Sequence, residues 1–116
     1  MPAPLTAPDD TDLASLGLPA DVGEEPWVRS VSFPSEHATV QLTWDAVAAS
    51  VHVLWSADAE GVVVEVTRER VDTVTIDRDA DGHHVAVTSR SDGLAGRLTV
   101  TVTSAGVRIH DTVLRT

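Results

Sequence analysis

From Trp27 onward the chain repeats with a period of two. Ala38, Val40, Leu42 and Trp44 alternate with Thr39, Gln41, Thr43 and Asp45. The alternation returns at Val51, Val53 and Trp55, at Val62, Val64 and Val66, and at Val74 and Ile76. It continues through Val85 and Val87, Leu98, Val100 and Val102, and then Val107, Ile109 and Val113. Successive side chains of a strand point to opposite faces, so this spacing predicts strands with one buried face. Val and Thr fill the pattern, as extended backbone favours.

The breaks in the pattern agree with it. Asp58-Ala59-Glu60-Gly61, Asp79-Ala80-Asp81-Gly82, Ser91-Asp92-Gly93 and Ser104-Ala105-Gly106 are short polar segments ending in Gly. Such segments make tight turns, and tight turns join antiparallel neighbours. The stretch 61–77 has no Gly or Pro after Gly61 and keeps one apolar parity from Val62 to Ile76. It reads as one long bent strand or as two strands broken near Arg68-Glu69-Arg70.

A meander of about eight strands leaves one apolar face that must be covered. No helical pattern of ten residues is available to cover it. The expected fold is therefore all-β, an antiparallel meander closing as a small barrel or sandwich. A homodimer through the sheet is the alternative cover. Trp27, Trp44 and Trp55 fall on the apolar parity and are expected as core bulk.

Residues 1–26 differ in kind. They hold five of the six prolines and little apolar periodicity. They are expected as a flexible Pro-rich tail, with the β domain spanning 27–116. Within the tail, Asp9-Asp10-Thr11-Asp12 can cap a short helical turn through Leu13 and Leu16, ended by Gly17 and Pro19. Such a turn needs docking to persist, and Leu13, Leu16 and Leu18 are expected to dock on the domain or, as the alternative, on a partner.

Composition narrows the chemistry. Cysteine is absent, which removes disulfides, thiolate metal sites and a Cys nucleophile. Net charge is −10, with eight Arg and no Lys. Such acidity opposes nucleic acid and anionic membranes and suits a basic protein partner. Met1-Pro2-Ala3-Pro4 has neither the basic start nor the apolar run of a signal peptide. The longest apolar stretches run to about four residues, against roughly 20 for a membrane span. A cytoplasmic location is the expectation.

Two sets of residues offer ligands to a metal ion. Asp77, Asp79 and Asp81 alternate before Gly82 and resemble the first half of an EF-hand calcium loop. An EF-hand loop wants Glu at its twelfth position, and Thr88 stands there. An acidic hairpin turn is the simpler reading. His52, His84 and His110 each oppose the apolar parity of their strands, so all three are expected on solvated faces, where three imidazoles can hold zinc. Surface histidines on separate strands are the simpler reading here. His83 and His84 are adjacent and must point apart. The same holds for His110 and Asp111, and no Gly-x-Ser-x-Gly elbow supports a triad. Glu65 and Glu69 are carboxylate candidates for glycoside chemistry but lie among charged strand residues. Gly93-Leu94-Ala95-Gly96 is too short to cradle a phosphate. Arg68 and Arg70 are expected to pair with Glu69 or its neighbours.

These residues favour a non-catalytic acidic protein-interaction domain, in one version an inhibitor or immunity-type protein masking a basic partner. The alternative is a β-barrel that holds a small ligand or metal, with or without catalysis.

Overall fold

The computed structural model describes residues 5–18, 20–35, 38–57 and 61–115. They form one short helix and nine strands in two antiparallel sheets packed as a sandwich. No barrel closes. The first sheet is β1 (Asp21–Val22), β2 (Val28–Ser35), β3 (Ala38–Asp45), β4 (Ser50–Ala57) and β5 (Gly61–Arg68), in that order. The second is β6 (Val71–Arg78), β7 (Gly82–Ser91), β8 (Leu94–Thr103) and β9 (Gly106–Arg115), also in chain order. Each sheet is thus a meander, and the cover for each apolar face is the other sheet.

The alternation sets which residues meet. Val31 and Phe33, then Val40, Leu42 and Trp44, then Val51 and Val53 point inward from the first sheet and are buried. Val74, Ile76, Val85, Val87, Leu98, Val100 and Val102 answer from the second. Burying such side chains is worth roughly 1.5–3 kcal/mol each, which makes this interface the main source of stability. Ser35 Oγ donates to the Thr103 carbonyl (3.0 Å) across the two sheets. Arg68 of β5 pairs with Asp111 of β9. The Phe33 ring meets the edge of His83 at 5.4 Å between centroids.

The 61–77 stretch is two strands. The break falls at Glu69 and Arg70, where the chain leaves one sheet for the other. Arg70 takes a left-handed φ of 55° there. A register shift follows between Val71 and Thr73, so Val71 and Val74 both face the core despite opposite parity. The three Gly-ended turns at 79–82, 91–93 and 104–106 join antiparallel neighbours as expected. The fourth, at 58–61, lies outside the described residues except for Gly61, which has φ 73°.

In the N-terminal segment, α1 (Asp10–Ser15) carries a reciprocal cap. The Asp9 side chain accepts from the Asp12 amide at 2.8 Å, and Asp12 accepts from the Asp9 amide. Gly17 follows at φ 74°, as the sequence indicates, and Pro19 lies outside the described residues. Leu5, Leu13 and Leu18 are buried in the common core, and Leu16 packs against it. Thr6 bridges Thr73 at the edge of β6, and β1 pairs with the edge of β2. The segment therefore lies along one side of the sandwich, against an edge of each sheet.

The tryptophans divide. Trp44 is buried at 3% exposure, and Trp55 packs against the core. Trp27 is 39% exposed, against the expectation of core bulk. It precedes Val28, the first β2 residue paired with β3, and so stands beyond the end of the sheet.

Candidate functional site

The candidate metal ligands are scattered. His52 lies on β4 of the first sheet, with Nε2 2.8 Å from Glu65 of β5. His84 lies on β7 and His110 on β9 of the second sheet, with β8 between them. Asp77 is still in β6, paired with His84 of β7, and Asp79 and Asp81 lie in the β6–β7 turn. Asp79 Oδ1 accepts from the amides of Asp81 (2.8 Å) and Gly82 (3.1 Å), and Oδ2 lies 2.8 Å from His84 Nε2. Its carboxyl titrates below the ordinary 3.8, chiefly through the Asp81 amide, with the Gly82 amide and His84 adding to it against a desolvation penalty. This carboxylate is engaged in holding the turn. Among the described residues no group of three or more His, Asp or Glu side chains is arranged to hold a metal ion.

The remaining sequence candidates also separate. His83 points inward, with Nε2 3.3 Å from the Leu16 carbonyl, while His84 points out. Asp111 faces inward to Arg68. Glu65 is held by His52, whereas Glu69 sits in the link between the sheets. The expected pairing of Arg68 and Arg70 around Glu69 gives way to longer-range partners. Arg68 takes Asp111, and Arg70 takes Ser91 Oγ at 3.0 Å and lies 4.0 Å from Asp92. Adjacent side chains at a strand end point apart, so the partners come from neighbouring elements instead.

What the fold does assemble is a rim at one end of the sandwich. Antiparallel pairing brings there the β1–β2 and β3–β4 turns, the β5–β6 link and the β7–β8 turn. Backbone hydrogen bonds stitch them. The Ala46 amide donates to the Trp27 carbonyl (3.1 Å), the Val71 amide to Ala49 (2.9 Å), and the Arg90 amide to Arg70 (3.3 Å). Asp45 Oδ1 accepts from the amides of Val47 and Ala48, which fixes the β3–β4 turn. Ala49, Arg70 and Asp92, the non-glycine residues with left-handed φ among those described, all lie on this rim. Each costs of order 1 kcal/mol of backbone strain, held by the surrounding bonds. Strain of this kind collects where a surface is held in one shape.

The rim is also where large apolar side chains meet solvent. Val22, Trp27 and Val47 stand on the first-sheet side, and Leu94, Val113 and Leu114 at the second-sheet corner. Val62 and Val63, near the opposite end of β5, are exposed as well. Between the β3–β4 turn and the β5–β6 link runs a cleft of about 780 Å³ bordered by Ala48, Ala49, Glu69, Arg70, Asp72 and Arg90. Arg90 lies 3.6 Å from Asp72. The carboxylates of Glu24, Glu25 and Glu69 have no hydrogen-bond or ion-pair partner among the described residues. The surface thus combines hydrogen-bonded turns, an exposed tryptophan and unneutralised acids. A smaller recess of about 270 Å³ beside Trp27 and Trp44 is crossed by the Arg29–Asp10 pair at 3.0 Å. It falls below the usual size of a ligand pocket.

Sequence reasoning missed Trp27, Val47 and the acids around them as a unit. One signal was present. The alternation stops at Asp45 and resumes at Ser50, with Ala46-Val47-Ala48-Ala49 between and no glycine to mark a turn.

No protein-family model matches the chain, and no curated protein matches it. Among solved structures, it is similar to a chain of the contact-dependent growth inhibition toxin–immunity protein complex from Klebsiella pneumoniae 342. The TM-score is 0.77 at 10% identity, covering 95% of this chain and 97% of that one. At that identity the likeness is one of fold.

Proposed function

We propose that this chain is a non-catalytic protein-interaction domain of the immunity type, which binds a basic protein through its rim and masks it. The observation that carries the reading is the fold correspondence, over nearly the whole of both chains, with one member of a toxin–immunity protein complex. Either member of a two-protein complex binds protein, so the interaction reading does not depend on which one is matched. A net charge of −10 suits the member that covers a basic surface. The rim offers Trp27 as an aromatic anchor and Glu24, Glu25 and Glu69 as unengaged acids. A cytoplasmic site of action belongs to the same proposal.

The test is capture of the partner from the chain's own cells at low salt, followed by co-expression. The expected partner carries net positive charge and slows growth of a host that makes it alone. Co-expression of this chain restores growth. Affinity falls as salt rises from about 0.05 to about 0.5 M, because screening shortens the reach of the charges. Trp27→Ala weakens the complex by at least about tenfold, the loss expected of an aromatic anchor. A partner that is acidic, or whose toxicity persists in the presence of the chain, overturns the proposal.

A further inference from the structure

The four sheet edges of the sandwich are not treated alike. The β2 edge pairs with β1, and the β6 edge receives Thr6. The β5 edge is interrupted where Trp55 and Ser56 shift register, leaving Val63 as a bulge. Bulges and short covering segments are the devices that keep edges from pairing with other chains. β9 has none of them. It pairs with β8 at all ten positions without a shift, and after Gly106 it contains neither Gly nor Pro. Its other side has no strand among the described residues. Near its end Val113 and Leu114 are 60% and 68% exposed.

We propose that β9 pairs with β9 of a second copy, antiparallel and with the two-fold axis at Val113, joining two four-stranded sheets into one of eight. The register follows from the residues. Side chains opposite one another in an antiparallel pair share a face, so the axis must pass through a residue. An axis at Val113 sets Val113 against Val113, Thr112 against Leu114, and Asp111, whose carboxylate also holds Arg68 of its own chain, against Arg115 of the second copy, twice. An axis at Asp111 sets two carboxylates face to face. Axes at Ile109, His110 or Thr112 set Asp111 against an apolar residue. Only the Val113 register matches charge with opposite charge and buries the exposed apolar pair.

Global charge does not oppose it. The chain as a whole is at −10, yet β8 and β9 together carry Arg97, Arg108 and Arg115 against the single acid Asp111. Self-pairing here joins strands of the molecule that carry few acids. A second copy is favoured over a foreign strand because the segment is complementary to its own reverse.

Sedimentation velocity on the whole chain tests this. The expected result is a monomer–dimer equilibrium with a dissociation constant of about 10–100 µM, the range of a small interface. Val113→Lys sets two cationic side chains directly opposite each other at the axis, their Cβ atoms about 5 Å apart, and weakens dimerisation at least about tenfold. Val113 is exposed in the monomer, so the melting temperature of the variant should stay near that of the parent. The chain has no cysteine of its own, so Val113→Cys supplies a lone thiol. Mild oxidation should cross-link it as a dimer and leave Val63→Cys, on the other open edge, monomeric. A chain that stays monomeric to about 500 µM, above any affinity useful to a small interface, overturns the proposal. So does a Val113→Lys variant that dimerises like the parent, or cross-linking through Val63 rather than Val113.

Discussion

Two residues with unusual backbone angles respond to substitution in opposite directions. Gly82 opens β7 at φ 154°, and a Cβ there would stand 2.1 Å from the Val102 carbonyl oxygen. Backbone cannot yield as a flexible side chain can, so Gly82→Ala should lower the unfolding free energy by about 1–3 kcal/mol in urea titration. Ala49 holds φ 55° with a Cβ that disfavours it. Ala49→Gly should raise stability by up to about 1 kcal/mol, offset in part by the extra freedom of the unfolded chain. Asp79 gives a pH signature. Its carboxyl titrates below 3.8 when folded, so the unfolded state binds the proton first as pH falls. The stabilisation is complete above the unfolded value and is lost as pH drops through the lower folded value. Asp79→Asn keeps an oxygen for the two amides and removes the titration. Urea midpoints measured from about pH 6 to about pH 2.5 should therefore fall less steeply for the variant than for the parent. An unchanged slope would mean that other carboxyls govern the acid limb.

Among the elements, α1 separates local from tertiary support. Six residues cannot hold a helix in water, whatever their cap. Its persistence rests on Leu13, fully buried in the common core. Leu13→Ala should cost about 2–5 kcal/mol, and Asp9→Ala about 1 kcal/mol through loss of the reciprocal cap. Comparable losses for the two in thermal unfolding would contradict this ordering. The helix is also an element that sequence made readable, since its cap residues and Gly17 act locally. The same is true of the Asp92-Gly93 turn, where both residues take left-handed φ. The β5–β6 link was ambiguous because Arg68-Glu69-Arg70 carries no punctuating residue. Its left-handed turn is imposed by hydrogen bonds from Val71 and Arg90, which join segments distant in sequence. Trp27 differs from expectation for a related reason. Parity gives the side of the sheet, but only tertiary cover decides whether that side is buried just before a strand begins.

For the molecule as a whole, the N-terminal segment and the sandwich should behave as one unit. Removal of residues 1–18 takes Leu5, Leu13 and Leu18 out of the core and uncovers the β6 edge. At roughly 2 kcal/mol per leucine, most of a typical domain's stability goes with them. The shortened chain is expected to lose its cooperative thermal transition and to scatter light on concentration, both readily measured. An antiparallel meander of about eight strands, closing as a barrel or a sandwich, was legible in the alternation, whereas the choice between the two, the division into sheets and the gathering of the rim were not. Those depend on where the chain crosses between layers, which one side-chain pattern does not encode.

That crossing carries a consequence of its own. Between the named strands the chain passes from one sheet to the other once, at Glu69 and Arg70, and only the single Thr6 bridge to β6 joins the two halves by strand-like pairing. Almost every strand pairing is thus local in sequence, which favours rapid formation of each meander before the two dock. It also makes the chain divisible. A peptide ending at Glu69 and one beginning at Arg70 each contain every strand of one sheet, so the two should find each other in trans and rebuild the sandwich. Fused to a pair of test proteins, the halves would report whether those proteins meet.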